Sequence, residues 1–253
     1  MTTPKATTIV FVPGAWHSPE CYRRVSDILE KEGYKTDYVY LPSVGPEEHL
    51  PNFQADVDEV RKHVEQAVDK GEYVMVVVHS YGGIPTSQAL EGLDVTSRQA
   101  ANLKGGVVQL FFCCSFVVKE GQSLLGAFGG TNLPWFGVSD DQMEVIALTP
   151  DKIFYNDMTP EDVEYAVARI KPHSYQTYLS PLTFAAWKVI PSTYLYCVKD
   201  NAIPYSVQKS MVEGTAKDFN FKTGELDASH SPFFSMPEET AKAMQRVAEG
   251  DVP

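Results

Sequence analysis

The stretch Val76-Val77-Val78-His79-Ser80-Tyr81-Gly82-Gly83-Ile84-Pro85 decides how this chain is read. Residues 73–78 are apolar without alternation, as expected of a strand covered on both faces in a parallel sheet. That strand runs straight into Ser80, and residues 84–91 read as a helix. A serine on so tight a strand-to-helix turn has its hydroxyl forced above the sheet edge, toward solvent and the helix N-terminus. Strand and helix converge there, so the residues two positions to either side must be small, hence the pattern G-x-S-x-G. Here it reads Val78-His79-Ser80-Tyr81-Gly82, with Gly83 behind the second glycine and valine in place of the first. The bland alternative is a serine that caps a helix in a glycine-rich turn.

Outward from this turn, short β-branched runs alternate with helix-length stretches. Residues 9–12 form a strand, 20–32 a helical pattern that stops at Gly33, and 35–41 a second strand ended by Pro42. Residues 53–70 carry apolar side chains at 53, 57, 60, 64 and 68, the spacing of an amphipathic helix. Residues 106–112 are another buried strand. Between about 119 and 190 the rhythm changes: 121–137 is loop-like, 139–147 and 160–171 read as helical, and no strong strand stands out. The rhythm returns with a strand at 193–198, a helix near 204–212, a strand near 219–223 and a last helix at 237–249. This predicts an α/β fold: a mostly parallel sheet with helices on both faces, joined by right-handed crossovers. An inserted helical cap at about 119–190 interrupts a single domain spanning 1–253.

Composition narrows the function. Of 253 residues 43% are hydrophobic, which suits a globular chain, and 21 basic against 33 acidic residues leave a net charge of −12. So acidic a surface repels phosphate backbones and anionic lipid, which argues against nucleic-acid or membrane partners. The expected partners are a small-molecule substrate and at most a second copy in a homodimer. The longest apolar run, 107–118, is broken by Gln109 and Ser115 and falls short of the ~18 residues of a membrane span. The polar N-terminus has no signal-peptide core, so a cytoplasmic protein is expected. Cys21, Cys113, Cys114 and Cys197 show no C-x-x-C or metal spacing and read as buried reduced thiols. No cofactor or metal is implied.

A serine nucleophile needs a base, and the base needs an orienting carboxylate. In this architecture they follow the serine, acid first and histidine second, at the ends of later strands. Of the six histidines only His173 and His230 come after Ser80. His173 falls in the inserted segment and reads as a polar cap residue. His230 falls in a short loop between the last strand and the last helix, the expected place. Asp200 ends the strand before it and is the candidate acid. Its rivals are Glu120, just past the preceding strand, and Asp227, too near His230 along the chain to reach round the ring. An oxyanion needs backbone donors. Tyr81 N–H, directly after the serine, is one; the loop Val12-Pro13-Gly14-Ala15-Trp16-His17 should supply the other, from Ala15 first or Trp16 second.

Together these residues resemble the α/β-hydrolase superfamily, and within it the small branch that holds plant methylesterases and hydroxynitrile lyases. The likeness rests on Pro13-Gly14-Ala15-Trp16-His17, on His79-Ser80-Tyr81-Gly82-Gly83, on residues 154–162, on Asp200-Asn201-Ala202-Ile203-Pro204, and on Ser229-His230 through Glu238. It spans nearly the whole chain and implies a six-stranded sheet, with catalytic Ser80, Asp200 and His230 and an oxyanion hole at Ala15 and Tyr81. Hydroxynitrile lyases of the branch carry a threonine at the position of Gly14 and a lysine directly after the histidine, where this chain has Ser231. Without that cation a cyanide leaving group loses its support. Aspartate-nucleophile members of the fold are excluded by Ser80.

The resemblance implies a serine hydrolase of small, mostly apolar carboxylic esters or lactones, working through an acyl-enzyme. The competing readings are a hydrolase of C–C bonds in β-dicarbonyls, an acyltransferase with the same triad, or a ligand-binding relative without catalysis. The inserted segment is rich in aromatics, Trp135, Phe136, Phe154, Tyr155 and Tyr178 among them, which suggests an apolar pocket. Trp16 and Trp135 are the expected substrate contacts.

Overall fold

The computed structural model describes residues 4–219 and 221–253. Its strands, in chain order, are β1 (Thr8–Val12), β2 (Lys35–Tyr38), β3 (Tyr73–His79), β4 (Gly106–Cys113), β5 (Phe136–Val138), β6 (Glu144–Ala147), β7 (His173–Ser174), β8 (Ser192–Cys197) and β9 (Phe221–Leu226). Six of them form one all-parallel sheet in the order β2-β1-β3-β4-β8-β9. Every residue of β1, β4 and β8 is buried, because parallel crossovers lay helices over both faces. The covering helices include α1 (Arg23–Lys31), α2 (Gln54–Val68), α3 (Gly83–Ala89) and α4 (Val95–Ala100). Short helices α5 (Leu124–Ala127), α6 (Pro150–Ile153) and α7 (Pro160–Val167) follow, then α8 (Tyr205–Lys209), α9 (Pro232–Ser235) and α10 (Pro237–Ala248). α1 packs with α10, and α2 with α3.

Strand order places the site. From β1 the chain first crosses to β2 on one side, then returns to β3 on the other. The loops leaving the carboxyl ends of β1 and β3 therefore diverge and open a crevice between them, the general ligand position in open α/β sheets. Ala15 and Trp16 lie on the first loop and Ser80 on the second, with Val12 and Val78 paired in the ladder just below.

Three expectations need correction. Residues 139–147 are not helical: β5, β6 and β7 form a three-stranded antiparallel sheet in the insertion between β4 and β8. The cap is therefore a mixed, not a helical, insertion. The polar run 139–143 is the hairpin loop, where Ser139 Oγ accepts from the Met143 and Glu144 N–H groups and Gln142 takes a left-handed φ of 55°. That turn chemistry outweighs the helical spacing of its neighbours. The second strand stops at Tyr38 rather than 41. The last strand lies at Phe221–Leu226, later than expected, and residue 220 of the expected span falls outside the described residues, as do residues 1–3 of the N-terminus. No described helix is long and apolar enough to cross a membrane.

Candidate active site

Ser80 follows the end of β3 with a φ of +49°, a left-handed conformation that costs a non-glycine residue energy and persists only where its surroundings enforce it. The enforcement is steric. A side-chain carbon at Gly82 would come within 2.4 Å of the Pro13 carbonyl, and one at Gly14 within 2.8 Å of both His79 Nδ1 and Ser80 Cβ. The first two loops of the crevice thus touch backbone to backbone. Beneath the turn, Ser80 O accepts from Ser115 Oγ at 2.7 Å and from Phe116 N at 3.0 Å, which ties it to the end of β4.

His230 precedes α9, and its Nδ1 lies 2.7 Å from Asp200 Oδ2, both side chains almost wholly buried. Asp200 is held from every side. Its Oδ1 accepts from Ala202 N and Ile203 N at 2.8 Å each, and Gln208 Nε2 reaches Oδ2 at 3.2 Å. With its oxygens held by these donors, Asp200 accepts from the Nδ1–H of His230, so that Nε2 is left as the basic nitrogen. Among the described residues no hydrogen bond joins the Ser80 hydroxyl to His230 in this conformation; such contacts commonly close only when substrate binds. The rival acids are engaged elsewhere. Glu120 pairs with Lys188 at 2.8 Å, and exposed Asp227 pairs with Lys199 at 2.6 Å.

The neighbouring histidines are neutral by burial. His79 donates from Nε2 to the His230 carbonyl at 2.8 Å, its ring 4.4 Å from that of His230, and desolvation drives its pKa far down. His17 donates from Nδ1 to Ala15 O at 2.7 Å and accepts from the Tyr155 hydroxyl at 2.8 Å; burial lowers its pKa to about 4. His173 lies in the inserted segment, as its place in the chain implies. It is fully buried in β7, 4.8 Å from the Tyr81 ring and stacked on Tyr178, and burial lowers its pKa to about 3.

A narrow cavity opens on Ser80. Ala15, Trp16 and Tyr81 form one side, and Phe116, Leu124, Leu133, Trp135, Phe136, Tyr178, Ala202 and Ile203 the rest, without a charged side chain. Trp16 is the joint between the halves: its Nε1 donates to Val145 O of β6 at 2.9 Å, and its ring meets Trp135, Phe136 and Phe154 within 5.7 Å. Of the other expected aromatics, Tyr155 lines a separate cavity with His17 and Arg169, and Phe154 packs between Trp16 and His230.

Two residues escaped the sequence reading. Asp56 is completely buried in α2, where its Oδ2 accepts from the Tyr81 hydroxyl at 2.6 Å and its Oδ1 from Ser43 N at 2.9 Å. Burial pushes its carboxyl pKa up. Its signal was an acid on the apolar face of the helix. Asp157, past α6, accepts from Ser229 N at 2.8 Å and so clamps the residue before His230 to the insertion. Nothing in its local pattern announces that role.

Residues 9–243 match the model of the alpha/beta hydrolase family, so the chain belongs to that family. It is 31% identical over 245 residues to the alpha/beta hydrolase nvfD of Aspergillus novofumigatus, covering 95% of this chain and 96% of that one. It is 25% identical to methyl jasmonate esterase 1 of Vitis vinifera over 95% and 96% of the two chains. The fold superimposes on a pyrethroid hydrolase from Sphingobium faniae with a TM-score of 0.73 and 21% identity, over 96% and 98% of the chains.

Proposed function

From that family membership, we propose that this chain is a serine hydrolase that cleaves a small, mostly apolar carboxylic ester or lactone. The observation that carries the reading is Ser80, held left-handed at the floor of an uncharged cavity, at the same strand ends as the buried Asp200–His230 pair. The Ser80 hydroxyl attacks the carbonyl carbon while His230 Nε2 takes its proton, and Asp200 holds the resulting imidazolium at Nδ1. The Ala15 and Tyr81 N–H groups receive the oxyanion. Collapse of the tetrahedral species expels the alkoxide, which leaves with the proton from His230. Water, activated by the same histidine, then releases the acid and regenerates Ser80.

The neutral surroundings support an uncharged substrate. His17, His79 and His173 are all kept unprotonated by burial, and position 231 holds a buried serine hydroxyl, not a cation. Trp16 and Trp135 would grip the apolar part of the substrate beside Ser80. The test is hydrolysis of a panel of neutral aryl esters and lactones, with fluorophosphonate labelling followed by peptide mapping. Turnover with label on Ser80 is expected, and Ser80→Ala should lose both, with a rate drop of several orders of magnitude. A variant that keeps more than about a tenth of the activity would overturn the assignment.

A further inference from the structure

Three of the four cysteines, unrelated by spacing in the sequence, converge beneath the His230 loop. Cys113 ends β4, Cys114 follows with a left-handed φ of 34°, and Cys197 ends the adjacent β8. Leu195 pairs with Cys113 in the ladder and its carbonyl accepts from Cys114 N, so Cys197 overhangs both. The three Sγ atoms lie within 4.8 Å of one another, and all three residues are fully buried. Cys114 Sγ also lies 3.3 Å from the His230 carbonyl, the group that accepts from His79.

We propose that Cys113, Cys114 and Cys197 form a site for one soft, thiophilic metal ion, and that its occupation silences the active site through His230. A metal–sulfur bond of about 2.3 Å sets three thiolates about 4 Å apart around a shared ion, so the trio needs only a slight contraction. All three donors are sulfur, which selects ions such as Cd²⁺, Hg²⁺ or Cu⁺ over Mg²⁺ or Ca²⁺. Binding of a divalent ion exchanges three thiol protons for three metal–sulfur bonds and leaves one net negative charge. The Cys114 S–H is lost in that exchange, and with it the donor to the His230 carbonyl. Loss of that contact, together with the pull of the ion on Cys114, shifts the His230 backbone and carries the base away from Ser80. The silencing half of the proposal rests on the hydrolase reading; the binding half does not.

The experiment titrates the reduced, full-length protein with Cd²⁺. It follows thiolate-to-metal charge-transfer absorbance, metal content after desalting, and hydrolysis of a neutral ester. One tightly held equivalent is expected, with at least a tenfold loss of rate that tracks the absorbance and is reversed by a dithiol chelator; Mg²⁺ should do nothing. Cys113→Ser and Cys197→Ser should each lose the stoichiometric absorbance and become insensitive to Cd²⁺ relative to their own metal-free rates, whereas Cys21→Ser should behave as the parent. Should a serine variant fail to fold by circular dichroism, Cys197→Ala replaces it. Absence of a one-equivalent signal, or its survival in the Cys113 and Cys197 variants, overturns the site. Binding without rate loss overturns the coupling to His230, and absence of any hydrolysis, with binding intact, counts against the hydrolase reading alone.

Discussion

The two halves of the cavity are built on different rules. On the sheet side, Ser80, Asp200 and His230 stand at strand ends whose positions follow from ladder register, and backbone amides hold the acid. On the inserted side, Trp135, Phe136 and Tyr178 form the wall through ring contacts, and the indole hydrogen bond from Trp16 on the β1 loop to Val145 O of β6 joins that side to the sheet. Backbone geometry is stiff and transfers between sequences; ring packing adapts. The sheet side should therefore govern the rate of the chemistry and the inserted side the fit of the substrate.

The hardest test of that division is the acid. Asp200→Asn keeps the shape but favours the wrong histidine tautomer, and kcat should fall on the order of 10⁴, about 5 kcal/mol of transition-state stabilisation, by analogy with serine proteases. Glu120→Gln, which removes the charge of the pair with Lys188 while its amide oxygen can still accept from Ala185 N, should leave kcat within about twofold. Steady-state kinetics on one neutral ester decides it. Loss in the Glu120 variant and retention in the Asp200 variant would place the acid after β4 instead.

Acid stability probes both halves together. His17 on the sheet side and His173 on the inserted side have folded-state pKa values lowered from 6.5 to about 4 and about 3. Below about pH 6.5 the unfolded chain takes up protons that the folded chain refuses, so stability is complete above that pH and drains as the pH falls toward those values. Each group removes on the order of 3 kcal/mol by pH 4. His63 works the other way. Asp37 raises its pKa, so its contribution is present in acid and lost as the pH rises through the raised value. Urea midpoints from pH 8 to 4 should fall steeply below about 6.5, and less steeply in His173→Gln. An unchanged slope in that variant would mean the ring can take its proton without leaving the fold.

Asp56→Asn asks whether the sheet side extends beyond its strand ends. The carboxylate holds the Tyr81 hydroxyl and, through it, the residue whose N–H is the proposed oxyanion donor. An amide there weakens that hold, and a small displacement of a donor matters most in the transition state. We expect kcat to drop about tenfold, about 1.4 kcal/mol, with KM unchanged. A rise in KM alone would make Asp56 part of the substrate wall.

The same contrast explains what could be read from the sequence. The strands at 73–79 and 106–113, the turn at Ser80 and the approach of Asp200 to His230 rest on local patterns: apolar runs, glycines that permit close contact, and chain order along a parallel sheet. The 139–147 hairpin reads as a helix in the sequence because its polar loop and short strands carry a spacing that mimics one, while turn chemistry decides the structure. Asp56 is hidden from a sequence reading for a related reason: its burial is decided by a distant partner, Tyr81. The thiol cluster needs a pairing across 83 residues of chain, from Cys114 to Cys197, that no local pattern encodes.

The smallest effect tests the inserted side directly. Trp135 contacts Trp16, Phe136 and Phe154 and faces the cavity, but touches none of Ser80, Asp200 or His230 in the ring and hydrogen-bond contacts described. Trp135→Ala removes apolar wall without disturbing a strand end. A hydrophobic pocket discriminates by about 1–3 kcal/mol per group, and a wall that the remaining rings can partly refill should sit at the lower end. KM for an aryl ester should rise about three- to fivefold, KM for a short alkyl ester should barely move, and kcat should stay within about twofold for both. The measurement is kcat and KM on the matched pair of esters. A hundredfold loss of kcat at constant KM would show that the wall shapes the reacting geometry itself, and the division between a stiff half for chemistry and an adaptable half for fit would fail.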